Sequence, residues 1–190
     1  MPDDEMAKGA HGTLCLLGEL HMHYHHYYPV DVVNGPGTRC TLFVSGCEHQ
    51  CKGCYNQSTW RLDSGQLFTD EVVNQIIADL NNPKLPRRGL TLSGGDPLHP
   101  ANLSAVLALV TRVRQECPGK DIWCWTGYTL AELTADQQAV VDLVDTLIDG
   151  KFIKELADPA LVWHGSSNQN IHHFDRSQAW WQSATRALPP

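Results

Sequence analysis

The chain has 190 residues, 42% of them hydrophobic, with 21 acidic against 14 basic side chains and a net charge of −7. That length suits one domain with a sizeable core, and the apolar content argues against global disorder. With no Lys/Arg-rich block there is no electrostatic nucleic-acid footprint, and no apolar run approaches the roughly 18 residues of a membrane helix. The seven cysteines cluster instead of spreading as a disulfide framework, which favours a reducing compartment and metal chemistry. Asp3, Asp4 and Glu5, followed by only a very short apolar stretch at Leu14-Cys15-Leu16-Leu17, make a poor signal peptide. A cytoplasmic protein is expected.

Residues 1–21 are polar and aperiodic, and are read as an N-terminal extension expected to be disordered. His21, His23, His25 and His26 form a dense cluster, read as a solvated segment with some members on a first strand rather than as a metal site. Asn34-Gly35-Pro36-Gly37 is a turn by composition. Arg39 to Val44, rich in β-branched and aromatic residues, reads as the first confident strand, with Cys40 as a buried structural thiol. Thr69-Asp70-Glu71 opens a helix, Thr69 as the cap and the acids at its positive end. Val72, Val73, Ile76, Ile77 and Leu80 follow at helical spacing, and Asn81-Asn82-Pro83 ends it. Gly89 to Ser93 is a second strand, and a helix from about Ala101 to Glu116 follows. Asp121 to Trp125 is a third strand, Ala135 to Leu143 is helical, and Thr146 to Ile148 is a short strand. The alternation predicts an α/β fold with a mostly parallel sheet and four to six βα units, too few for a closed eight-stranded barrel. One folded domain is expected over 22–174, with a polar C-terminal tail over 175–190.

The most informative stretch is Cys47-Glu48-His49-Gln50-Cys51-Lys52-Gly53-Cys54, which directly follows the first strand and the turn Ser45-Gly46. Its C-x3-C-x2-C spacing holds three sulfurs around one point, and soft thiolates select zinc, copper(I) or iron–sulfur clusters. Structural zinc sites usually pair C-x2-4-C with a second, distant pair of ligands. No such pair is evident here, although a zinc site borrowing Cys40 or His49 stays open. Three thiolates without a fourth leave one iron of a cubane cluster free to bind a small molecule. Three further motifs also follow the C-terminal ends of predicted strands: Gly94-Gly95-Asp96, Thr126-Gly127-Tyr128 and Asp149-Gly150-Lys151. In parallel α/β sheets that edge is where ligands bind, so the four are expected to converge on one face. Arg39, beside the cysteine loop in sequence, is a further candidate there. Trp60, Trp123 and Trp125 are expected in the core or at its rim, and Cys117 and Cys124 are read as non-ligands.

The cysteine spacing resembles that of radical S-adenosylmethionine (SAM) enzymes. The longer run Tyr27-Tyr28-Pro29-Val30-Asp31, Asn34-Gly35-Pro36-Gly37-Thr38-Arg39 and Gly46-Cys47 through Trp60 resembles more specifically the activating proteins of anaerobic ribonucleoside-triphosphate reductases. That resemblance runs from about Met22 to about His173. It implies a partial, open (βα) barrel of the radical SAM type and a glycyl-radical activase, a radical SAM oxidoreductase. Cys47, Cys51 and Cys54 are then the ligands of a [4Fe-4S] cluster whose fourth iron is chelated by SAM. Gly94-Gly95-Asp96, with Ser93 before it, corresponds to the family's Gly-Gly-Glu motif with Asp replacing Glu. Gly53, Cys54 and Tyr55 are expected to border the adenine, though relatives carry an aromatic residue where Gly53 stands. Asp149 and Lys151 resemble an Asp-x-Lys pair that lies near SAM and a monovalent cation in a related activase. Reductive cleavage of SAM, with an electron from a donor such as flavodoxin, is implied to give a 5′-deoxyadenosyl radical. That radical takes a hydrogen atom from a glycine of the reductase's large subunit.

Overall fold

The computed structural model describes residues 22–176. Residues 1–21, His21 included, and most of the C-terminal tail lie outside the described residues, and so do the expectations about them.

The elements are β1 (His23–Asp31), β2 (Arg39–Val44), β3 (Gln66–Leu67), α1 (Asp70–Leu80), β4 (Gly89–Gly94), α2 (Leu103–Glu116), β5 (Asp121–Trp125), α3 (Ala135–Val141), β6 (Thr146–Asp149) and β7 (Asn170–His173). The strands form one seven-stranded sheet in the order β3-β1-β2-β4-β5-β6-β7. β2, β4, β5 and β6 run parallel, linked by crossovers through α1, α2 and α3. β1 lies antiparallel to β2 and β3, and β7 antiparallel to β6. The α/β class and the parallel centre agree with the alternation of elements. Among the described residues the crossovers number three, below the four to six units expected, because β1 and β7 return antiparallel without an α-helix between them and the centre. The sheet ends at β3 and β7 without closing.

The strands present alternate residues to opposite faces. Cys40, Leu42 and Val44 of β2, Leu90 and Leu92 of β4, Ile122 and Cys124 of β5 and Leu147 of β6 join the buried faces of all three helices in one core cluster. The thiols of Cys40, Cys117 and Cys124 are buried there, and burial pushes each of them up from the ordinary thiol range. Of the three α-helices only α3 has a side-chain cap on its first turn. Thr134 and Gln137 form a reciprocal capping box at α3. Thr69 takes the cap position of α1, but its hydroxyl is turned to Glu71 instead of to a backbone N–H.

The other face is built differently. Arg39, Thr91 and Trp123 lie on it, covered by the 31–38 segment: Thr91 Oγ1 donates to Asn34 O (2.7 Å) and Arg39 Nη1 to Pro36 O (3.3 Å). Arg39 is fully buried. Its Nε donates to Thr91 Oγ1 (2.8 Å), its Nη2 to Leu90 O (2.9 Å), and Asp121 Oδ1 lies 2.6 Å from Nη2. The guanidinium also sits 5.5 Å from the Trp123 ring centre. Arg39 pairs in register with Gly89, which pairs with Asp121. It therefore belongs to the N-terminal edge of the parallel strands, roughly 16 Å of strand away from the cysteine loop. Its closeness to that loop in sequence does not become closeness in space, because β2 is extended.

Candidate metal and cofactor site

The cysteine loop leaves β2 at the opposite edge and is stitched to the end of β4. Gly95 N donates to Val44 O (2.8 Å) and Asp96 N to Gly46 O (2.7 Å). Gly46 N and Cys47 N donate to Thr59 O (2.7 Å) and Trp60 O (3.0 Å). Asn102, buried at the start of α2, spans Ser45 O and Asp96 O with one amide (2.9 and 3.0 Å). The two chains approach so closely that a Cβ on Gly95 would lie 2.5 Å from Gly46 O and 3.0 Å from Thr59 O. The second glycine of the motif is thus demanded by the floor of the cysteine loop, before any ligand is considered. Gly95→Ala is expected to destabilise the fold by about 1–3 kcal/mol, the usual effect of overpacking. A lowered urea midpoint with unchanged slope checks this.

Cys47, Cys51 and Cys54 are half-buried free thiols. Each sulfur receives a backbone N–H: from His49 to Cys47, from Phe152 to Cys51, and from Asn56 to Cys54 at 3.3 Å. Such donors favour the thiolate, the form that binds metal, and hydrogen bonds to sulfur are among the levers that tune iron–sulfur centres. Burial pushes the Cys47 thiol up to about 11, and burial likewise raises Cys51, so metal binding here must release protons. Among the described residues no three His, Cys, Asp or Glu side chains converge closely enough to hold a single metal ion. A cubane does not ask for that, since each thiolate ligates a different iron. The donor set therefore fits a cluster held at three corners.

The four strand-end motifs do meet. Thr126 N donates to Ile148 O and Gly150 N to Tyr128 O, both at 2.9 Å. Leu130 N donates to Asp149 Oδ2 (2.7 Å). Phe152, just past Lys151, reaches Cys51 as described. Lys151 is exposed, and its charge opposes the burial that raises the Cys51 thiol. Asp149 is buried. Burial alone would raise its carboxyl, but donors from Leu130 N, Asn170 and His172 outweigh that and hold it below the usual range.

Asp96 is 1% exposed, and protein donors surround its carboxylate. Leu98 N donates to Oδ1 (2.8 Å), Gly127 N to Oδ2 (2.9 Å), Thr126 Oγ1 to both oxygens (2.9 and 3.0 Å), and His49 Nε2 lies 2.7 Å from Oδ2.

Beside the loop opens a cleft of about 410 Å³, lined by Cys54, Tyr55 and Ser93 together with Val33, Asn34, Asn56, Trp125, Phe152, Trp163, His164, Gly165 and Gln169. Tyr55 stands 99% exposed at its mouth. Gly53 lies under the Lys154 side chain, where a Cβ would be 3.1 Å from Cδ. Trp125 is fixed in the wall by donating Nε1 to Trp163 O (2.8 Å). Gln169 braces the far wall, accepting from Gly165 N (2.9 Å) and donating to Gly150 O (2.8 Å). No spacing in the sequence marks Val33, Trp163 or Gln169 as cleft residues. They arrive through the 31–38 segment and the loop before β7.

A family model described as a 4Fe-4S single cluster domain matches residues 33–172. Anaerobic ribonucleoside-triphosphate reductase-activating proteins match over most of the chain. That of Vibrio cholerae is 70% identical over 153 residues, covering 80% of this chain and 99% of that protein. That of Escherichia coli K12 is 65% identical with the same coverage, and that of Enterobacteria phage T4 is 47% identical over 150 residues, 79% of this chain and 93% of that protein. The chain belongs to the anaerobic ribonucleoside-triphosphate reductase-activating proteins. As a member of that family with a 4Fe-4S domain, it is an activating protein, and the family match supports an iron–sulfur cluster. No helix among the described residues is long and apolar enough to cross a membrane.

Proposed function

We propose that this activating protein is a radical SAM oxidoreductase acting on the large subunit of the anaerobic ribonucleoside-triphosphate reductase. The observation that carries it is the cysteine loop itself: three free thiols, each met by a backbone N–H, with Cys54 in the wall of a cleft on the ligand-binding edge of a parallel sheet. When bound, the cluster supplies the electron for reductive cleavage of SAM, and the 5′-deoxyadenosyl radical released takes a hydrogen atom from a glycine of the reductase. Cys47, Cys51 and Cys54 hold three irons, and the fourth is left to the amino and carboxylate groups of SAM. The backbone of Gly94-Gly95-Asp96, with Ser93 in the cleft wall, borders the methionine part. Gly53, Cys54 and Tyr55 border the adenine, Tyr55 from the open side.

Asp149 contributes by pinning Leu130 and Asn170, so the proposal includes no monovalent cation at its carboxylate. Lys151 is the exposed cation beside Cys51. A one-sided sheet with its helices on the outer face and the cleft on the other accords with an open (βα) barrel, into which a protein loop can pass. The electron donor is a reduced one-electron carrier of the flavodoxin kind, and the setting is cytoplasmic.

Electron paramagnetic resonance of anaerobically reconstituted, reduced protein tests this reading. The expected result is a [4Fe-4S]+ signal that changes when SAM is added, showing an open iron. A signal indifferent to SAM, or bound zinc without inorganic sulfide, overturns it.

A further inference from the structure

His49 occupies the middle of the C-x3-C spacing, between two of the three thiols, yet its side chain is only 4% exposed. A loop residue flanked by exposed Glu48 and Gln50 ordinarily faces solvent. Here it enters a socket made by residues from two other strand ends. Asp96 Oδ2 lies 2.7 Å from Nε2, and since a carboxylate only accepts, Nε2 is the donor. The Tyr128 ring stands edge-on at 4.5 Å. The third wall is an absence: a Cβ on Gly127 would lie 2.2 Å from His49 Cδ2 and 2.5 Å from Nε2, so the imidazole fills space that any other residue at 127 would take. Next to it, Tyr128 Oη donates to Glu48 Oε1 at 2.7 Å, a second tie from the same turn to the same loop.

The same carboxylate that receives His49 is held on its other sides by Thr126, Gly127 N and Leu98 N. Asp96 is therefore a hub with its acceptor positions turned to protein. One more methylene at position 96 would push the carboxylate into Thr126 and Gly127, which are already at hydrogen-bond distance. The Asp in place of Glu and the histidine between the cysteines thus make one unit.

We propose that His49 is a positioning residue: through Asp96 it fastens the cysteine loop to the ends of β4 and β5, fixing Cys47 and Cys51 relative to the backbone of Gly94-Gly95-Asp96. This deepens the radical SAM reading and rests on it for the ligand, while the fastening itself is a property of the metal-free chain.

The test uses the full chain, His49→Ala, and His49→Gln, whose amide N–H can take the place of Nε2. The first readout is the alkylation rate of each thiol by iodoacetamide in metal-free protein, followed by peptide mass spectrometry. In His49→Ala, Cys47 and Cys51 are expected to react about tenfold faster, as a charge-assisted bond holding a local closed state is lost. Cys40, Cys117 and Cys124, buried in the core, report on the fold and are expected to stay at wild-type rates. His49→Gln restores most of the protection. Rates at Cys47 and Cys51 within about twofold of wild type in His49→Ala, or exposure of the core thiols in both variants, overturn the proposal. The second readout is the SAM-induced change in the spectrum of the reduced, cluster-loaded proteins. It is expected to be diminished in His49→Ala and recovered in His49→Gln, and a full change in His49→Ala also overturns the proposal. Should wild-type protein show no SAM response, the radical SAM reading falls while the alkylation result still decides the fastening.

Discussion

Cys51→Ala is expected to lower bound iron and sulfide to below about a tenth of the wild-type content, and to abolish activation of the reductase. Cys51 is the central thiol of the loop, its sulfur faces the N–H of Phe152 from the turn after β6, and two thiols cannot hold a cubane that already lacks a fourth protein ligand. The fold should not notice. Cys51 is half-exposed and outside the core cluster, so the melting temperature of metal-free protein should move by no more than about 2 °C. Iron and acid-labile sulfide analysis after anaerobic reconstitution, alongside calorimetry, separates these effects. A full cluster in the variant removes Cys51 from the ligand set. A melting temperature many degrees lower makes the loss one of folding.

Arg39→Ala should do the reverse. Arg39 is a buried cation whose neighbours are Asp121, Thr91 Oγ1, the carbonyls of Pro36 and Leu90, and the Trp123 ring. Removing it leaves a carboxylate and several acceptors short of a donor, for which about 3–5 kcal/mol is the usual loss. At roughly 2–4 °C per kcal/mol for a chain of this size, melting falls by about 6–20 °C. Arg39→Lys keeps the charge but not the planar fork that serves these partners at once, so it should recover only part of the loss. At a temperature where both are folded, the variants should load cluster as wild type does. A stable Arg39→Ala protein that fails to respond to SAM would bring Arg39 back to the site.

Arg39 also shows where reading the chain succeeds and where it stops. Its strand was legible because Arg39-Cys40-Thr41-Leu42-Phe43-Val44 is rich in β-branched and aromatic side chains. The parallel centre was legible because strands and helices alternate. The three thiols and the convergence of strand-end motifs followed from local spacing and one topological rule. What failed was distance: Arg39 and Cys47 are eight positions apart in sequence, and an extended strand turns that into opposite edges of the sheet. β1 was legible only in outline, since its histidines read as a solvated segment with some members on a first strand, and β7 was hidden by its polar, aromatic-poor start. β3, two residues long, leaves no periodicity to find. The histidine between the cysteines was legible only as a stray ligand, because what defines it, Asp96 and Gly127, lies some fifty and eighty positions further on and meets it only through the register of β2, β4 and β5.

The close packing of Gly95 against Gly46 O, and of Gly127 against the His49 ring, bears on how such a site should be probed by mutation. An alanine scan learns by deletion: it removes atoms beyond Cβ and asks what is missed. At these positions the working part is an empty volume, and alanine is the smallest intruder available. Here the scan runs backwards, with the mildest substitution in its repertoire acting as an insertion. A survey confined to truncations would find the thiols and the carboxylate and pass over their glycine neighbours, which have no side chain to remove. A series that grows the side chain stepwise, glycine to alanine to serine to valine, would instead trace the outline of the socket, with the steepest fall where the fewest atoms are allowed.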